Sequence, residues 1–271
     1  MPHAEADGIQ IAYDDRGRGE PALLFTTGWC SSRARWARVV ELCSPHRRVL
    51  NTEWRGHGDS DPAPADFGLE EQVADVLAVA DAAGVERFVP CAASHSGFVA
   101  IELRRRFPER VPCLVHVDWY VVPPPPPYRA VLEQLTSPDD WPLARDKLIE
   151  IWRAGVERPE IDEALDVMRL HGADMWMRSG REIASGYARV GSPTSAWESL
   201  DPHVPVLHLY GQPPDPGFLA AQEEFAAAHP WFTVRKAAGV THFAMIETPD
   251  VVAGAIEDFV RAACTPTATE E

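Results

Sequence analysis

Ala92-Ala93-Ser94-His95-Ser96-Gly97 follows the apolar run Arg87-Phe88-Val89-Pro90-Cys91 and precedes a helical stretch at residues 98–107. Strand, small-x-Ser-x-small, helix is the layout of a nucleophile elbow. A turn this tight needs small flanking residues, here Ala92 and Ser96. It pushes one side chain, Ser94, out over the sheet edge. The usual flanking glycines are missing and a histidine follows the serine. The stretch therefore points to an architecture without settling the chemistry. Standing alone, it also fits a strand–helix turn with no catalysis.

Working outward, short apolar runs alternate with helical patterns. Residues 21–25 and 48–52 read as buried strands, with a helix over 33–42 between them. A second helix over 69–83 stops at Gly84, a glycine termination signal. After the elbow, Pro108 closes its helix and residues 113–117 supply the next strand. This alternation predicts an α/β fold, a mostly parallel sheet with helices on both faces. Ligands in such folds sit beyond the carboxyl ends of the strands.

The pattern breaks after Tyr120. Five prolines, residues 123–127, cannot join a sheet or continue a helix, and predict a stiff polyproline spacer. Residues 128–196 keep helical periodicity without strands and carry Trp141, Trp152 and Trp176, with Trp197 just beyond. They predict a helical cap inserted over the site. The sheet pattern resumes at 205–210, followed by a helix (218–228), a strand (232–236), a loop with His242 and a last helix (251–263). The expected organisation is a core over 1–119, a cap over 120–200 and a core over 201–271.

Composition narrows the partners. The 271 residues, 45% hydrophobic and 24% charged, suit one globular domain of the large α/β type. A formal net charge of −16 repels phosphate backbones and anionic lipid, so nucleic acid and membrane partners are not expected. No apolar run of about 18 residues is present, and the first residues lack the basic start and apolar core of a signal peptide. Five scattered cysteines read as reduced thiols of a cytoplasmic protein, with neither disulfides nor zinc. The polar tail after Ala263 reads as a frayed end.

A serine or a substrate hydroxyl needs a base near neutral pH, and the base needs a group to orient it. Of ten histidines, His242 in Gly239-Val240-Thr241-His242-Phe243 lies in the loop after the last strand, where this fold keeps its base. Two acids are candidates. Asp118 ends a buried strand and needs a partner to offset its desolvation. Asp215 follows the penultimate strand, where such a fold commonly keeps its acid; in its Pro-Asp-Pro-Gly loop it also reads as a turn or helix-start residue. An oxyanion site needs backbone N–H groups; those of His95 and of Trp29, beside Gly28, are the candidates. The loop Arg55-Gly56-His57-Gly58-Asp59-Ser60 reads as a structural turn. No metal-ligand spacing and no phosphate loop is evident, so neither metal nor nucleotide cofactor is expected.

Lined up, these segments resemble the α/β-hydrolase superfamily over almost the full length. More narrowly, the chain resembles the cofactor-independent 2,4-dioxygenases of 3-hydroxy-4(1H)-quinolones. Gly28-Trp29-Cys30, Ser94-His95, Asp118-Trp119, Trp152, His229-Pro230-Trp231-Phe232 and Thr241-His242-Phe243 carry that likeness. The resemblance implies that His242 removes the substrate 3-hydroxyl proton and that Asp118, rather than Asp215, holds His242. It implies that Trp29 and His95 offer backbone N–H groups to the carbonyl oxygen. Ser94 would hydrogen-bond the substrate without attacking it, and Trp152 would pack on the bicyclic ring. The partners implied are an N-heteroaromatic small molecule and dioxygen; the products are an N-acylanthranilate and carbon monoxide. Ser96, Ala93 and Ser31 depart from the quinaldine enzymes, which have glycine, histidine and histidine there, and so bear on which 2-substituent is accepted.

Two other readings remain. A serine hydrolase would use Ser94 as nucleophile, His242 as base and Asp215 or Asp118 as acid, and would be labelled by fluorophosphonates. A non-catalytic ligand-binding protein would show no turnover; the intact Ser94, His242 and Asp118 set argues against it.

Overall fold

The computed structural model describes residues 1–264, so the tail from residue 265 onward, expected to be frayed, lies outside the described residues. An eight-stranded sheet forms the centre, built from β1 (His3–Ala6), β2 (Ile9–Arg16), β3 (Ala22–Thr26), β4 (Val49–Thr52), β5 (Phe88–Ala93), β6 (Leu114–Val117), β7 (Val206–Tyr210) and β8 (Phe232–Lys236). Their order is β1-β2-β4-β3-β5-β6-β7-β8. The β1–β2 and β2–β4 pairs are antiparallel and every later pair is parallel. Strands β3 to β7 are buried along their whole length, as continuous apolar runs covered on both faces should be.

Helices α1 (Ala37–Cys43) and α11 (Pro249–Cys264) pack together, as do α2 (Leu69–Ala82) and α3 (Gly97–Arg106). The helix expected over 33–42 begins instead as a 3-10 turn, Arg33–Trp36. Between β6 and β7 come α4 (Pro126–Leu135), α5 (Trp141–Arg153), α6 (Pro159–Arg169), α7 (Ala173–Val190) and α8 (Pro193–Glu198), with α4 packed on α5 and α7. Helices α9 (Pro216–Ala228) and α10 (Ala244–Glu247) flank β8.

The proline run differs from expectation. Pro126 and Pro127 are not spacer but the first two residues of α4, with Pro125 extended as its cap. Proline is well suited to a first helical turn, because the N–H it lacks would have no intrahelical acceptor there. Helices α6, α8, α9 and α11 also begin on proline.

Candidate active site

Strand β5 ends by delivering Ser94 with φ 55°, a left-handed conformation that costs a non-glycine residue roughly 1 kcal/mol or more. Local bonds hold it there. Ser96 Oγ donates to the Ala93 carbonyl (2.7 Å), and Thr26 Oγ1 donates to Ser96 Oγ (3.1 Å). The serine that replaces an elbow glycine therefore braces the turn. On the other side, Gly28 passes so close that a Cβ on it would stand 3.3 Å from Ser94 Cβ.

His242 Nε2 lies 3.2 Å from Ser94 Oγ. The His242 N–H donates to the Trp152 carbonyl (2.9 Å), and its ring stacks on the Trp152 indole at 5.3 Å and 19°. Glu247 Oε2 accepts the Val240 and Thr241 N–H groups and the Thr241 hydroxyl, which fixes the same loop from below. Burial, then the nearby Arg35 and His95, push the His242 pKa well below that of an ordinary histidine. At neutral pH the ring is the unprotonated form a base requires.

Asp118, also in a left-handed conformation (φ 50°), is fully buried at the end of β6. Its Oδ1 accepts the N–H groups of Gly211 (2.7 Å) and Gln212 (3.4 Å), and its Oδ2 that of Ala244 (2.7 Å). Burial pushes its pKa up to about 6, against the pull of those N–H groups and of Arg35. Among the described residues no hydrogen bond joins this carboxylate to the His242 ring; it grips the loop two residues further on. Asp215, the other acid, caps α9 by accepting the Gly217 N–H (3.0 Å). Of its two readings, the turn residue is what the structure displays.

The Trp29 indole stacks on Phe67 (5.3 Å) and does not line the cavity described below. Its neighbour Cys30 has φ 57° and donates its N–H to His57 Nε2 (3.0 Å), while His57 Nδ1–H donates to the Arg55 carbonyl (3.0 Å). Arg55 pairs with the buried Asp75 (2.6 Å). The arginine–glycine loop thus clamps the Gly28–Cys30 turn against the elbow, the structural role expected of it.

A mostly apolar cavity of about 310 Å³ opens above Ser94 and His242, lined also by His95, Trp119, Tyr128 and Trp152. Two residues were not anticipated. The Tyr128 hydroxyl lies 2.7 Å from His95 Nε2, whose Nδ1 is 3.0 Å from Ser94 Oγ. Arg35 is buried over the Phe243 ring at 4.6 Å, its pKa lowered to about 10 by burial. A tyrosine directly after a proline run was the one signal for Tyr128; nothing in the sequence marks Arg35. Among the described residues no three His, Cys, Asp or Glu side chains are grouped so as to hold a metal ion, and no helix is long and apolar enough to cross a membrane.

Residues 21–189 match the family model described as the alpha/beta hydrolase fold. The chain is 35% identical over 264 residues to the 2-heptyl-3-hydroxy-4(1H)-quinolone dioxygenase of Mycobacteroides abscessus, covering 95% of this chain and 97% of that one. It is 29% identical to the 1H-3-hydroxy-4-oxoquinoline 2,4-dioxygenase of Pseudomonas putida, covering 97% and 100%. A solved structure of an AqdC variant in complex with its substrate, described for recognition and ring cleavage of the Pseudomonas quinolone signal, superposes with a TM-score of 0.90 at 34% identity. That match covers 97% of this chain and 99% of the other.

Proposed function

The chain belongs to the α/β-hydrolase fold family and, within it, to the 3-hydroxy-4-quinolone 2,4-dioxygenases, and from that premise we propose that it cleaves a 2-alkyl-3-hydroxy-4(1H)-quinolone with dioxygen. The products are an N-acylanthranilate and carbon monoxide. The observation that carries this reading is His242 Nε2 at 3.2 Å from Ser94 Oγ under a mostly apolar cavity walled by aromatic rings.

His242 Nε2 takes the 3-hydroxyl proton as general base. The Trp29 and His95 backbone N–H groups face the charge that grows on the 4-oxygen. Ser94 donates to the substrate and orients it. The Trp152 indole, already stacked on His242, borders the heterocycle and limits how it can lie. Asp118 acts on the base through the loop, holding Ala244 and hence His242 in register. The substrate anion supplies the electrons, passing one to dioxygen; the two radicals join at carbon 2. The peroxide then closes on carbon 4, and the O–O bond and both bonds to carbon 3 break. Carbon 3 leaves as carbon monoxide, and the two dioxygen atoms remain in the acyl and carboxylate groups. On this account no metal or flavin takes part.

Residues 120–200 serve as a cap that excludes water from the anion. A cytoplasmic site of action goes with the free cysteines. The test is dioxygen uptake and carbon monoxide release by metal-stripped protein given 3-hydroxy-2-alkyl-4(1H)-quinolones. Stoichiometric uptake and release supports the reading. No uptake, together with aryl-ester hydrolysis blocked by a fluorophosphonate, would make Ser94 a nucleophile instead.

A further inference from the structure

His242, Ser94, His95 and Tyr128 form one continuous chain of polar contacts, at 3.2, 3.0 and 2.7 Å in that order. Its direction decides what Ser94 can do. Among the described residues the His95 ring touches no carboxylate, and burial pushes its pKa down to about 3, so it is neutral. A neutral imidazole has one N–H, so it donates at one nitrogen and accepts at the other. Either Tyr128 or Ser94 gives it a proton; the other receives one.

The chemistry of the two hydroxyls sets the choice. A phenol is a stronger donor than an aliphatic hydroxyl and a weaker acceptor, since its oxygen lone pair is drawn into the ring. The Tyr128 phenol is held in its protonated form, because burial raises its pKa. The Tyr128 hydroxyl has no other hydrogen-bond partner among the described residues, and His95 Nε2 stands directly before it. Bonds aligned in one direction also polarise one another.

We propose that Tyr128 is a positioning residue: its phenol donates to His95 Nε2, holds the imidazole as the Nδ1–H tautomer, and so keeps Ser94 as a hydrogen-bond donor toward His242 and the cavity. In this arrangement Ser94 Oγ accepts from His95, and its own hydrogen points to His242 Nε2. A substrate oxygen entering the cavity draws that hydrogen to itself and leaves the His242 lone pair free for the 3-hydroxyl proton. The same bond from His95 engages one of the two Ser94 lone pairs and draws electron density from the oxygen, which makes Ser94 a weaker nucleophile toward a carbonyl. The helical insertion thereby bears on the elbow, since Tyr128 lies in α4.

The consequence for turnover rests on the dioxygenase reading, but the tautomer does not. The experiment is long-range nitrogen–proton correlation NMR of the histidine rings in the full-length, substrate-free protein and in Tyr128→Phe. The His95 signals are assigned by their loss in His95→Gln. The parent should have His95 protonated at Nδ1, and Tyr128→Phe should shift the proton to Nε2. With a 3-hydroxy-2-alkylquinolone, kcat/KM of Tyr128→Phe should fall about tenfold, the worth of one neutral hydrogen bond. A parent His95 protonated at Nε2 overturns the proposal, as does a Tyr128→Phe protein with unchanged tautomer. If no quinolone is turned over by the parent, the function is wrong, and the nitrogen spectrum still decides the tautomer.

Discussion

Gly97→Ala adds one methyl group where α3 leaves the elbow. A Cβ there would stand 2.8 Å from Trp119 Cη2 and closer still to Cε3 and Cζ3. Trp119 cannot step aside. It is 1% exposed, with Phe98 edge-on at 4.8 Å, His116 at 5.2 Å and Trp197 at 6.3 Å. Overpacking of a filled core costs about 1–3 kcal/mol, and the boxed ring argues for the upper end. Alanine regains at most about 1 kcal/mol of helix propensity, less at a first turn. The net loss should be about 2 kcal/mol, a melting-temperature drop of about 4–8 °C for a chain of this size. Because Trp119 follows Asp118 and lines the cavity, kcat/KM should fall as well. Gly254→Ala is the opposite-sign control. It lies exposed within α11 with nothing within 4 Å of an added Cβ, and should stabilise by about 0.5–1 kcal/mol. Urea and thermal unfolding of both variants decide the matter. A Gly97→Ala protein melting within about 1 °C of the parent would refute the claim that Trp119 dictates this glycine.

His242→Ala should lower kcat/KM for the quinolone by about 10²–10⁴, the usual worth of a general base; near-parental rates would remove it from the mechanism. Ser94→Ala should keep substantial dioxygenase activity, and complete loss with a trapped acyl-enzyme in the parent would favour hydrolysis. Asp215→Ala should cost about 1 kcal/mol through the lost α9 cap while kcat stays near parental; a collapse of kcat would restore it as the acid. Asp118, with its pKa raised to about 6 by burial, favours folding below its unfolded value of about 4 and loses that contribution as pH rises through about 6. Relative to Asp118→Asn, the parent should therefore gain about 1 kcal/mol on going from about pH 7.5 to about pH 5, read from urea midpoints. A pH-independent difference would show that burial leaves this carboxylate untouched.

What the sequence carried follows from which interactions are local. Strands β3 to β7 were legible because buried parallel strands are continuous apolar runs between glycine and proline signals. Strands β1 and β2 were not, since His3-Ala4-Glu5-Ala6 buries only its two alanines and has no apolar run. Ser94 and His242 were legible because an elbow turn and a post-strand loop have fixed places in the fold, and they meet at 3.2 Å. Asp118 was legible as a charge ending a buried strand, but its partners were not. Whether it serves a ring or three backbone N–H groups depends on the paths of two loops remote in sequence.

The least legible residue has a reach beyond its own contacts. Arg35 falls in a stretch that the sequence marks only as helical, yet it is buried. Its charge lowers the pKa of both His242 and Asp118. Burial does most to keep the base unprotonated and Arg35 adds to it; on Asp118 the cation works against the burial that raises its pKa, and so favours the charged carboxylate. In that state Asp118 accepts the Gly211, Gln212 and Ala244 N–H groups most strongly, since bonds to an ionised acceptor are the stronger ones. The loop that presents His242 is therefore held firmest when His242 is free to take a proton, although no bond joins the two side chains.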